Sequence, residues 1–139
     1  MSKLYRTINY LLPLLLASTF SPALMAQTTG DSPQRVEQKR TDLSGAPGME
    51  VIASTAEYKP GEGIDFHLHH GVEAAYIIQG ATVQAPGKAP MELKTGGTLL
   101  NLRDIKHGGF KVIGETSLKL FTVHVVDKGR PLYDVPPAQ

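Results

Sequence analysis

Turn signals interrupt this chain so closely from Met49 onward that no segment sustains a helical repeat, and only short strands fit between them. Met49 to Tyr58 alternates, is rich in Val, Ile and Thr, and stops at Lys59-Pro60-Gly61. Ile64 to His69 is a second short run and Glu73 to Ile78 a third, closed by Gly80. Ala81 to Gln84 and Met91 to Leu93 flank a turn around Ala85-Pro86-Gly87-Lys88. Gly96-Gly97 opens Thr98 to Leu102, Gly108-Gly109 opens Phe110 to Ile113, and Ser117 to Val126, as long as the first run, is the most β-branched. Brief strands separated in this way predict an all-β antiparallel sandwich or barrel.

The first 26 residues stand apart from that pattern. Lys3 and Arg6 form a positive n-region, Ile8 to Ala17 an apolar stretch, and Pro22 to Ala26 a helix-breaking, mostly small exit. This order is expected of a signal peptide cleaved after Ala26. Asn9 and Pro13 break the apolar run, which falls short of the roughly 20 residues of a membrane span. An uncleaved amphipathic anchor is the competing reading. The expected location is periplasmic or secreted, with no membrane attachment after cleavage. Lys3 and Arg6 leave with the segment, so 14 basic residues fall to 12 against an unchanged 13 acidic. A chain so near neutral offers no overall field for nucleic acid.

From Gln27 to Gly45 the only large apolar side chains are Val36 and Leu43. Residues 27–46 are therefore expected to form a polar arm, either flexible or laid over another surface. A single domain is expected over residues 47–136. The chain has no cysteine, which excludes disulfides, a lipoprotein anchor, thiolate-bound metals and a Cys nucleophile. Chemistry falls to His, Asp, Glu, Tyr or Lys. All five histidines lie between positions 67 and 124, three of them within four residues.

Strand phase decides which of these groups meet. Period two puts Asp65, His67 and His69 on one face, with Phe66 and Leu68 on the other. After the turn at His70-Gly71-Val72, Glu73 returns on the neighbouring strand with its carboxylate beside them. Polar groups converging inside a small barrel are costly to desolvate unless a cation or hydrogen bonds satisfy them, and a metal is the economical explanation. Asp65 is a candidate second acceptor or catalytic proton-transfer group, with a salt-bridged rim carboxylate as the competing reading. His70 is out of phase and expected toward solvent or the opposite face. His124, alone among Leu120, Thr122 and Val126, is expected to be a packed, hydrogen-bonded core residue and not a ligand. Tyr76 is expected on the outer surface. Arg103, Lys106 and Lys111 bracket His107, either to receive an anionic substrate or as a solvated loop.

The spacing Gly61-x5-His67-x-His69-x3-Glu73-x6-Gly80 resembles the first signature motif of the cupin superfamily at all five fixed positions. Gly96 and His107 match the second motif, whereas Leu102, Asp104 and Lys111 stand where that family carries Pro, Gly and Asn. The likeness covers roughly residues 49 to 127, and the segment Val125 to Leu132 looks like the end of small single-domain bacterial cupins. It implies a double-stranded β-helix, or jelly roll, with His67, His69, Glu73 and His107 holding one divalent iron, manganese, nickel, copper or zinc ion. It further implies a small-molecule ligand or substrate and a homodimer paired through sheet edges. Two functional classes remain open on this ground. One is an enzyme chelating a small oxygen-rich molecule, as a quercetin-dioxygenase-like oxygenase, an isomerase or a lyase. The other is a non-catalytic periplasmic binder of a small molecule or of the metal.

Overall fold

The computed structural model describes residues 30–135; the expected signal peptide lies outside them. Among the described residues there are nine strands: β1 (Arg35–Asp42), β2 (Met49–Tyr58), β3 (Gly63–Ile64), β4 (Gly71–Gln79), β5 (Ala81–Gln84), β6 (Met91–Leu93), β7 (Thr98–Asn101), β8 (Phe110–Ile113) and β9 (Leu118–Asp127). They form a five-stranded sheet in the order β1-β2-β9-β4-β7 and a four-stranded sheet in the order β3-β8-β5-β6. Every ladder is antiparallel.

Alternation builds the core. β2 buries Ile52, Ser54, Ala56 and Tyr58, while β9 buries Leu118, Leu120, Thr122, His124 and Val126. Tyr58, Ile77, Leu118 and Leu120 of the larger sheet pack against Ala81, Val83, Leu93 and Val112 of the smaller one. Each large side chain sealed in this layer contributes about 1.5–3 kcal/mol. Tyr76 lies on the outer face, half exposed, as its phase predicts.

Two segments differ from expectation. The region expected to run as a polar arm over residues 27–46 joins the sheet as β1, so the larger sheet begins at Arg35 and not at Pro47. A strand with no apolar face leaves no period-two signal. It is held by its ladder with β2 and by charge pairs: Arg40 reaches the buried Glu50 at 2.6 Å and Glu37 at 2.8 Å, and Arg35 donates to Asp31 and to Ser54. The run Ile64 to His69 is not a continuous strand either. β3 belongs to one sheet and β4 to the other, so the chain between them crosses the layers and keeps only single bridges, His67 to His107 and Leu68 to Asp134. That crossing carries the histidine pair.

Candidate metal centre

His67 and His69 both point inward, at 2% and 1% exposure, and Glu73 joins them from β4 at 7%. His107 arrives from the loop before β8 through a reciprocal bridge. His67 N–H donates to the His107 carbonyl at 3.0 Å, and His107 N–H returns to the His67 carbonyl at 2.9 Å. The two rings are 4.3 Å apart. The four residues expected to act as ligands are thus brought to one place.

Main-chain carbonyls orient three of the rings. Nδ1 of His67 bonds the Asp65 carbonyl at 2.8 Å, Nδ1 of His69 the Leu132 carbonyl at 2.5 Å, and Nδ1 of His107 the Ile105 carbonyl at 2.9 Å. A carbonyl only accepts, so each Nδ1 carries the proton and, in the neutral ring, Nε2 presents a lone pair. Yet Nε2 of His69 lies 3.3 Å and Nε2 of His107 3.4 Å from Glu73 Oε2. Acceptor faces acceptor, which is unfavourable unless a proton or a metal cation comes between them. The Nε2 atoms of His67 and His107 are buried without a hydrogen-bond partner. Leaving such an atom unsatisfied costs about 1–3 kcal/mol. Coordination to a cation would satisfy both the orphaned nitrogens and the facing lone pairs, so the donor set fits a divalent metal.

With no cation bound, the electrostatics favour protons between the imidazoles and the carboxylate. Burial by itself would raise the Glu73 carboxyl, but the imidazoles of His107, His124 and His69 reverse this and hold it well below the usual carboxylate range. Burial pushes His67 down to about 4, keeping that ring neutral and able to ligate at neutral pH. For His107 burial acts downward, and the Glu73 carboxylate with the Ile105 carbonyl outweighs it and raises the group.

Three participants were not expected. Asn101 donates Nδ2–H to Glu73 Oε2 at 2.7 Å, fixing the carboxylate from the neighbouring strand β7. Tyr133 packs its ring 4.3 Å from that of His67 and 5.1 Å from that of His69, walling the centre with a buried phenol. Burial raises this phenol above the ordinary tyrosine range, so it stays protonated. His124, expected to be a hydrogen-bonded core residue outside the ligand set, is fully buried, but neither ring nitrogen has a hydrogen-bond partner. Its Nε2 lies 3.4 Å from Glu73 Oε1. The potential ligand atoms form two overlapping groups, His67 with His69 and His107, and His69 with Glu73 and His124, each within 4.8 Å.

Other candidates fall elsewhere. Asp65 is exposed, and what it supplies to the centre is its main-chain carbonyl, so the proposed carboxylate role is replaced by a backbone one. His70 is half-buried between Asp104 and Asp134, at 2.9 Å from each, outside the donor cluster. Arg103 is bidentate to Asp127, Lys106 lies over the Phe66 ring, and Lys111 is exposed.

Among solved structures, an uncharacterized conserved protein with a double-stranded β-helix domain from Klebsiella pneumoniae matches with a TM-score of 0.55. The identity is 15%, over 76% of this chain and 89% of that one. The fold is the double-stranded β-helix. DMSP lyase DddQ from Ruegeria pomeroyi matches with a TM-score of 0.46 and 18% identity over 57% of this chain. The aligned part spans 40% of the lyase. The polyketide cyclase RemF from Streptomyces resistomycificus matches with a TM-score of 0.48 and 18% identity, over 73% of this chain and 82% of the cyclase. No protein-family model and no curated protein matches the sequence.

Proposed function

We propose that this chain is an exported, metal-dependent cupin enzyme acting on a small molecule that presents oxygen donors. The observation that carries the reading is the placement of two inward lone pairs, on His69 and His107, against the Glu73 carboxylate. A divalent first-row ion in that position supplies Lewis acidity to a ligand oxygen and, for iron or copper, redox capacity. The chain's own residues divide the remaining work. His67, His69, Glu73 and His107 hold the ion. The carbonyls of Asp65, Leu132 and Ile105 fix the three imidazole tautomers, and Asn101 holds the carboxylate. Tyr133 shields one side of the cluster from water. Tyr133 and Leu132 also border a charged cavity of about 750 Å³ lined by Asp31, Arg35, Arg40 and Glu50. Export rests on the pattern of residues 1–26 and is tested by N-terminal sequencing of protein recovered outside the cytoplasm, which should begin at Gln27.

Elemental analysis of protein purified from its native compartment tests the centre. One divalent ion per chain is expected, lost in His67→Ala, His69→Ala and Glu73→Ala proteins. Full metal content in those variants would overturn the assignment. Oxygen uptake with phenols or enediols then identifies an oxygenase, and anaerobic turnover identifies an isomerase or lyase. Ligand-induced stabilisation without product identifies a non-catalytic binder and rules out the enzymatic reading.

A further inference from the structure

His124 is the one imidazole of the cluster whose ring is anchored at neither nitrogen. His67, His69 and His107 each give Nδ1–H to a main-chain carbonyl, whereas Nδ1 and Nε2 of His124 are both buried and without a hydrogen-bond partner. A neutral imidazole has one donor and one acceptor to satisfy, and a wholly buried ring satisfying neither is poorly explained as packing alone. Its surroundings supply a reason. Nε2 of His124 approaches Glu73 Oε1 at 3.4 Å, while His69 and His107 approach Oε2 at 3.3 and 3.4 Å. Three imidazole nitrogens therefore surround one carboxylate on both its oxygens. Donors bonded at about 2.0–2.1 Å to a common ion lie roughly 3 Å apart when adjacent, close to these separations. His69, Glu73 and His124 form a wholly buried group with ligand atoms within 4.8 Å of one another, and His67 and His107 form a second group with His69, so the two groups share His69 and draw together around a common ion.

We infer that His124 is a metal ligand, so that four imidazoles and one carboxylate surround the ion. The inference rests on the metal-centre reading above and narrows its substrate. With Glu73 bound through one oxygen, five protein donors leave one position on a six-coordinate ion. A ligand then enters through a single oxygen, as a carboxylate, alkoxide or phenolate does, and a catechol or enediol is not held as a chelate.

X-ray absorption of the parent protein loaded with cobalt(II) alone, without substrate, tests this. Four imidazoles are expected in the first shell of the parent, falling to three in His124→Gln at the same stoichiometry of one cobalt. Three imidazoles in the parent, or an unchanged count in His124→Gln, overturn the inference while leaving the metal centre intact. Failure of the parent to bind stoichiometric cobalt, with no metal in native protein, overturns both. The parent spectrum decides the matter even where His124→Gln does not fold.

Discussion

Glu73 and His124 are direct partners across the β4–β9 ladder, and their side chains meet at 3.4 Å inside the barrel. On the other side of β4, Glu73 faces Asn101 of β7, whose amide donates to it at 2.7 Å. The carboxylate is thus set by three strands in register: a shift of β4 against β9 would part it from His124, and one against β7 from Asn101.

Asn101→Ala should weaken the centre without removing a ligand. Loss of an outer hydrogen bond to a ligating group typically lowers metal affinity about 10–100-fold. Competition with a chromophoric chelator measures this, and an affinity within twofold of the parent would remove Asn101 from the site.

Metal should stabilise the fold. Free metal at 100 times its dissociation constant adds about 2.7 kcal/mol. For a domain of this size that raises Tm by about 10 °C or more. Thermal unfolding with and without a strong chelator checks it, and coincident curves would contradict a site built into the core.

The metal-free protein should lose stability on acidification. His67, with a folded value near 4 against about 6.5 unfolded, takes up its proton in the unfolded state first as pH falls, so stability declines from about 6.5 toward 4. Burial lowers His124 in the same direction. Glu73, driven upward by burial but held low by its imidazoles, contributes stability above its unfolded value that is lost as pH falls further. His107 acts oppositely: burial opposes its proton, Glu73 favours it, and its contribution is present below about 6.5 and lost as pH rises through its raised value. Tm against pH should therefore fall on the acid side, and a flat profile between 6.5 and 4 would exclude buried neutral imidazoles.

Arg40→Ala should destabilise by about 1–3 kcal/mol, because it leaves the buried Glu50 carboxylate without its charged donor. Denaturant unfolding measures it. Lys39→Ala, on the same exposed strand but without that contact, should change stability by less than about 0.5 kcal/mol. Equal effects would mean that β1 is held by its ladder alone.

Gly108→Ala should damage the centre through the backbone. Gly108 has φ +79°, and a Cβ there would stand 2.8 Å from the Asp65 carbonyl oxygen and 3.2 Å from the His67 ring. That carbonyl is the one that orients His67, so metal affinity should fall together with stability. Loss of stability with metal affinity retained would separate the turn from the site.

Much of this was legible in the chain. Met49–Tyr58, Ala81–Gln84, Met91–Leu93 and Phe110–Ile113 form strands with the bounds that turn residues and alternation assign them. His67, His69 and His107 form one cluster, and Glu73 meets His69 and His107 beside it. β1 was not legible, since its side chains are nearly all polar and its stability lies in a ladder with β2 and in ion pairs, Arg40 with the buried Glu50 among them. Asp65 was assigned by strand phase, but the chain after Ile64 is no continuous strand, and the group that reaches His67 is its main-chain oxygen, which every residue carries.

His124 marks the division most clearly. The sequence by itself determined an all-β barrel and the local phase that puts His67 and His69 on one inward face, because strand periodicity and turn chemistry act over a few residues. Only the tertiary structure decided that His124, Asn101, Leu132 and Tyr133 complete the surroundings of Glu73. Those contacts depend on the order of strands in the sheet and the register between them, set by how two whole faces pack and not by any short run of residues.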